Sequence, residues 1–125
     1  IAACRNVRVV PFMRHRELAD YYRAADIAVW PRQESMSMLD AVASGLPIVV
    51  SERIGEASRV TGNGRFYQEN DVSDLARQLA TLESKEIRGA LGLAGREKVL
   101  ERFNWHAIAQ AMSRDYETAL KSRRG

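Results

Sequence analysis

Four short stretches rich in apolar residues, set between longer stretches of helical periodicity, limit this chain more than any other feature. Val7–Val10, Ile27–Trp30 and Ile48–Val50 are three of them, and Arg65–Gln68 is a weaker fourth. They read as near-continuous apolar runs rather than as alternating ones. Strands of that kind are buried on both faces, which a parallel sheet with helices on each side provides. The expected class is therefore α/β, with about four parallel strands and flanking helices.

The intervening segments fit that frame. His15–Ala25 carries Leu18, Tyr21, Tyr22 and Ala25 at helical spacing. Met38–Ser44 reads as a short helix, ended by Gly45, which can take the left-handed cap conformation, and by Pro47, which cannot continue a helix. Gly62-Asn63-Gly64 reads as a turn. Asp71 can cap a helix through about Leu82, Ser84 opens a helical stretch to Phe103, and Asn104 can cap a last helix. In that last helix Trp105, Ile108, Met112 and Tyr116 share one face, with Trp105 as its anchor. Lys121–Gly125 is polar and is expected to fray.

Composition removes several functions. The 125 residues suffice for one domain or part of a larger one. A net charge of +3, with the basic residues scattered, is too weak and dispersed to argue for nucleic acid. The single Cys4 excludes an internal disulfide and a cysteine-rich metal site, and it fits a reducing, cytoplasmic setting. His15 and His106 lie far apart, with no ligand cluster around them, so no metal is expected. No apolar run approaches the length of a membrane span. The opening IAACRNVRVV lacks an initiator Met and reads as cut from something longer.

The stretch QESMSMLDAVASGLPIVV, residues 33–50, concentrates the chemistry. Glu34 and Asp40 are six apart, so they cannot project from the same face of one helix. Glu34 instead belongs in the loop after the Ile27–Trp30 strand, and Asp40 in the first turn of the next helix. Open α/β sheets bind ligands at that carboxyl edge. Free backbone N–H groups of Ser37–Asp40 would attract phosphate there, and the flanking carboxylates would accept hydrogen bonds from hydroxyls. Two readings stand open. The stretch suits a phosphate between hydroxyl-rich groups, as in a nucleotide sugar. Equally, Ser37-x-x-Asp40 is a capping box with Asp for Glu, in which Glu34 is a solvated loop residue.

Residues 20–51, DYYRAADIAVWPRQESMSMLDAVASGLPIVVS, resemble the donor-binding half of GT-B glycosyltransferases, in particular the large retaining group that includes glycosyltransferase family 4. Tyr22-Arg23-Ala24-Ala25-Asp26 matches the family's helix end. Asp40-Ala41-Val42-Ala43-Ser44-Gly45-Leu46-Pro47 matches its Glu-Ala-x-Ala-x-Gly-x-Pro motif, with Asp for Glu. Gly64 before a strand, Asp71 before a helix with Leu75 and Ala76, and Phe103-Asn104-Trp105 carry the similarity over nearly the whole chain.

The resemblance implies a partial Rossmann-like, doubly wound sheet, the C-terminal portion of a GT-B fold. Residues 1–125 would form one truncated nucleotide-sugar-binding domain, with an acceptor-binding domain upstream in the parent. By the same resemblance Glu34, Ser35, Met36 and Ser37 would meet the donor sugar. The backbone of Ser37, Met38 and Leu39 would meet the diphosphate, and Asp40 the ribose. Phe12, Met13, Arg14 and His15 would lie near the base. The parent would transfer a sugar from a nucleotide diphosphate sugar to a glycan or lipid-linked acceptor with retention. It would do so without a cofactor or metal ion, in the cytoplasm, for glycan or polysaccharide assembly. Any membrane association would run through the parent, and the isolated chain would be inactive. The alternatives are a non-catalytic α/β binding or regulatory module and a GT-B-type nucleotide-sugar epimerase.

Three departures bear on that reading. Five residues separate the two acids where the family usually has seven, Asp40 is one methylene shorter than Glu, and Pro11 stands where relatives usually have Gly, so it offers no N–H. The family's basic pair that neutralises the leaving diphosphate lies upstream of this chain. Arg14, Arg32 and Arg53 are local candidates that read first as surface residues. Met36 and Met38 suit either a sugar face or a core gap. Gly89, Gly92 and Gly95, three apart, point to close helix packing or to a helix break rather than to a phosphate loop.

Overall fold

The computed structural model describes residues 4–124. Its elements, in chain order, are α1 (His15–Ala24), β1 (Ala28–Trp30), α2 (Ser37–Ala43), β2 (Ile48–Ser51), a 3-10 turn (Ala57–Arg59), β3 (Gly64–Tyr67), α3 (Val72–Ala80), α4 (Lys85–Arg102) and α5 (Trp105–Arg124). The three strands are parallel in the order β1-β2-β3, with Ala28 opposite Ile48 and Ile48 opposite Gly64.

Alternation along β2 splits the core in two. Ile48 and Val50 face α2, packing with Met38, Ala41, Val42, Leu46 and Val60. Val49 faces the other way, with Tyr67 and Leu82, against Leu75 and Leu79 of α3. Helices therefore cover both faces, as the apolar runs implied. Only the central strand is fully enclosed, however: β2 is buried at all four positions, while β1 and β3 are mostly half-buried.

The expected first strand is absent. Val7–Val10 is extended chain outside the sheet, and Val7, Val9 and Val10 are 53%, 74% and 36% exposed. An extended segment becomes a strand only through ladder hydrogen bonds to a neighbour. It pairs with none of the described strands, so the sheet has three strands rather than about four.

Helix ends follow their sequence signals. Asp71 Oδ1 accepts from the N–H of Asp74 at 2.8 Å, Ser84 Oγ from Ile87 at 3.3 Å, and Asn104 Oδ1 from Ala107 at 2.8 Å. Gly45, at φ +83°, ends α2. Its N–H bonds the carbonyl of Val42, and the N–H of Leu46 bonds that of Ala41, the paired closure of a Schellman motif.

The glycines of α4 act by proximity, and no break occurs: the helix runs unbroken through all three. A Cβ on Gly92 would collide with the carbonyl oxygen of Gly45, and one on Gly95 would lie 2.8 Å from Val42 Cγ1, so α4 can cross α2 only where side chains are missing. Gly89 has open space around it. Lys98, further along α4, donates to the carbonyls of Ser58 and Thr61 and to Asn63 Oδ1, which pins the β2–β3 connection to the helix. Partial burial pushes its pKa down.

Candidate functional site

The loops leaving the carboxyl ends of β1 and β2 and the start of α1 supply the side chains singled out above. Glu34 sits in the loop after β1, and Asp40 in the first turn of α2. The two carboxylates have different surroundings.

Asp40 meets α1. Its Oδ2 lies 2.8 Å from His15 Nε2, joining residues 25 apart in sequence; the side chains are 37% and 78% exposed. His15 opens α1, and Asp40 faces it because Met38, Ala41 and Val42 turn the apolar side of α2 into the core.

Glu34 is turned toward the loop after β2. Its Oε1 accepts a hydrogen bond from the N–H of Gly55, and its Oε2 lies 3.7 Å from the guanidinium of Arg59. Nothing local to Glu34 in the sequence marks Gly55 and Arg59, more than twenty residues away, as its partners.

The turn between the acids differs from a capping box. Met36, not Ser37, holds the cap position, and no side chain caps it; Ser37 is already helical. Ser35 moves the cap upstream: its hydroxyl accepts from the N–H of Ser37 at 3.1 Å and lies 2.6 Å from Ser37 Oγ, and its carbonyl accepts from Met38 at 3.0 Å. The N–H of Leu39 bonds the carbonyl of Met36 at 3.0 Å. The donors of Ser37, Met38 and Leu39, expected to be free, thus have acceptors within the turn. Met38 is wholly buried in the core, while Met36 is 60% exposed.

Phe12 is fully exposed, and Met13 is half-buried. Arg14, Arg32 and Arg53 are exposed, as read from the sequence; Arg32 donates to Asn70 Oδ1 at 2.8 Å. Tyr22 packs on the core, and Tyr21 lies at the rim, 47% exposed.

Two adjoining depressions share His15 and Asp40. The larger, about 460 Å³, runs from Met36, Ser37 and Asp40 to Val99, Phe103 and Trp105 at the α4–α5 junction. The smaller, about 240 Å³, lies between α1 and α2, beside Tyr22 and Ser44. Trp105 is not the buried anchor expected: it is 82% exposed at the cleft rim, because α5 packs chiefly on α4 and leaves the face of Trp105, Met112 and Tyr116 open. The cleft has the size and mixed lining of a small-molecule site, apolar walls with a few converging polar groups. Among the described residues no cluster of His, Cys, Asp and Glu could hold a metal ion, and no helix is long and apolar enough to cross a membrane.

Residues 2–85 match the family described as glycosyl transferases, group 1. The chain is similar to the D-inositol 3-phosphate glycosyltransferase of Xylanimonas cellulosilytica, at 34% identity over 123 residues, covering 94% of this chain and 30% of that protein. It is also similar to the MMP alpha-(1->4)-mannosyltransferase of Mycolicibacterium hassiacum, at 34% identity over 113 residues, covering 83% of this chain and 27% of that one. Among solved structures, sucrose-phosphate synthase from Thermosynechococcus elongatus superposes with a TM-score of 0.77 at 29% identity, covering 90% of this chain and 30% of that one. The chain thus spans about 30% of the length of these relatives.

Proposed function

The chain belongs to the group 1 glycosyl transferases, and from that membership we propose that it is the donor-binding part of an enzyme transferring a sugar from a nucleotide diphosphate sugar to a glycan or lipid-linked acceptor. The observation that carries the reading is the meeting of His15 and Asp40 at 2.8 Å on the rim of a 460 Å³ cleft beside the carboxyl edge of a parallel sheet. Asp40 accepts hydrogen bonds from the ribose hydroxyls, with His15 as the partner they replace. Glu34 meets hydroxyls of the sugar, together with Ser35, Met36 and Ser37. The base lies along Phe12–His15, where the exposed phenyl ring of Phe12 offers a stacking face. The diphosphate approaches the backbone of Ser37–Leu39, whose donors exchange their internal acceptors for phosphate oxygens. Charge on the departing diphosphate is stabilised by such donors and by basic residues, so no metal ion is required. The transfer retains the anomeric configuration, in the cytoplasm, and its acceptor is bound by the rest of the parent. The chain alone binds donor and transfers nothing.

Calorimetric titration of the chain with UDP, GDP and ADP, and with UDP-glucose, GDP-mannose and ADP-glucose, tests this. At least one pair binds, and Asp40→Ala weakens it about tenfold, the worth of one hydrogen bond to a charged group. Absence of binding by every compound, or an unchanged affinity in Asp40→Ala, overturns the proposal.

A second reading rests on the internally bonded donors of Ser37, Met38 and Leu39. They suit a non-catalytic α/β module, in which Asp40 serves only α2. For that module Asp40→Ala lowers the melting temperature and no nucleotide binds.

A further inference from the structure

The surroundings of Glu34 show what holds its carboxylate in place. The side chain, 31% exposed, spans from the loop after β1 to the loop after β2. One carboxylate oxygen is fixed by the N–H of Gly55, while the other faces the Arg59 guanidinium at 3.7 Å, beyond hydrogen-bond reach. A carboxylate has about four acceptor positions. The described contacts use one of them, and Arg59 supplies charge without using another. The carboxylate is therefore held in place with acceptors to spare.

The holder is itself anchored. Arg59 ends the 3-10 turn, its side chain is only 25% exposed, and its buried Nε finds no acceptor among the described residues. Its carbonyl accepts from Asn63 Nδ2 at 3.1 Å, and Asn63 Oδ1 accepts from Lys98 of α4 at 2.5 Å. Gly55 fits the same arrangement: it is not in the left-handed region, and among the described residues its Cβ would meet only Glu34 Oε1, at 3.2 Å. A side chain there would press on the carboxylate and on little else. Five residues separate the acids, and the support of the Glu34 carboxylate comes from the loop after β2.

We infer that Arg59, with the N–H of Gly55, positions the Glu34 carboxylate to accept hydrogen bonds from the hydroxyls of the donor's sugar. Arg59 is a positioning residue and touches no substrate atom. The inference rests on the donor-site reading for the ligand, and on the two loops alone for the geometry.

The test has two readouts on the same chain. By NMR, the Gly55 amide proton of the wild type is shifted downfield and protected from exchange, and Arg59→Ala reduces both effects. By calorimetry, the ratio of nucleotide-sugar affinity to matching nucleoside-diphosphate affinity falls about tenfold in Arg59→Ala, one charge-supported hydrogen bond's worth. Affinity for the sugar-free diphosphate stays unchanged, and Arg59→Lys recovers part of the ratio. Gly55→Ala, which displaces the carboxylate without touching Arg59, lowers the same ratio and keeps the fold even if Arg59→Ala does not. A freely exchanging Gly55 amide in the wild type overturns the geometry, whether or not nucleotides bind. A protected amide with an unchanged ratio in both variants overturns the positioning role alone. No binding of any nucleotide, with the amide protected, overturns the donor-site reading and the positioning role that rests on it.

Discussion

Val7–Val10 and Ile48–Val50 are similar in composition and opposite in fate. Both are short and rich in β-branched residues. Ile48, Val49 and Val50 are wholly buried between two strands and two helix layers, while Val9 is 74% exposed in chain that pairs with nothing described. The difference lies in neighbours, not in propensity. β2 lies between β1 and β3 and under α2, each within 20 residues of it in sequence. β-propensity expresses a fit to a pleated, half-buried surface, and where the chain supplies no such surface the same residues remain unpaired. The contrast also organises the site, whose packed part is the β2–α2–α4 block and whose open part is the rim carrying Phe12–His15 and Trp105.

Truncating a side chain in each region should have very different costs. Ile48→Ala should cost about 3–4 kcal/mol of stability, since it empties volume in a closed core. Val9→Ala should change stability by less than about 0.5 kcal/mol, as surface substitutions do. Denaturant unfolding of the two variants measures both. A large loss in Val9→Ala would mean that the first segment has a partner in the folded chain after all.

A smaller effect separates well-capped helices from the rim by pH. The Asp74 carboxylate accepts from the N–H of Gln68 at 2.7 Å, and that bond, aided by Gln78 and Arg77, holds its pKa below the usual carboxylate value against the opposing effect of burial. Its contribution is present above the unfolded-state pKa and is lost as pH falls through the folded one. Between pH 5 and pH 3 the wild type should therefore lose more melting temperature than Asp74→Asn. Equal losses would show that the Gln68 contact does not persist in solution.

What the residues announced was local. The run from Asp40 to Pro47 carries its own helix, its Gly45 closure and the turn into β2, and Asp71, Ser84 and Asn104 each cap the helix they precede. Helical geometry kept Glu34 and Asp40 off one helix face, and the flanking strand and helix signals put Glu34 in a loop and Asp40 in a first turn. What stayed hidden depended on contacts between distant segments. The pairing of His15 with Asp40 needs α1 laid against α2. The hold on Glu34 needs the loop after β2, and the exposure of Trp105 follows from how little of α5 is covered. Gly92 and Gly95 show the intermediate case: their spacing signalled close packing, but only the crossing of α4 over α2 shows that the helix continues through them.

On this reading the open rim binds a nucleotide sugar while the packed block serves as its scaffold. Chemical-shift mapping of the isotope-labelled chain during titration with nucleotide sugars checks this division. Perturbations should gather on residues 12–15 and 34–40 and be reduced in Asp40→Ala, with Ile48–Val50 unmoved. Perturbations confined to the α3–β3 side of the sheet, or none at saturating ligand, would contradict it.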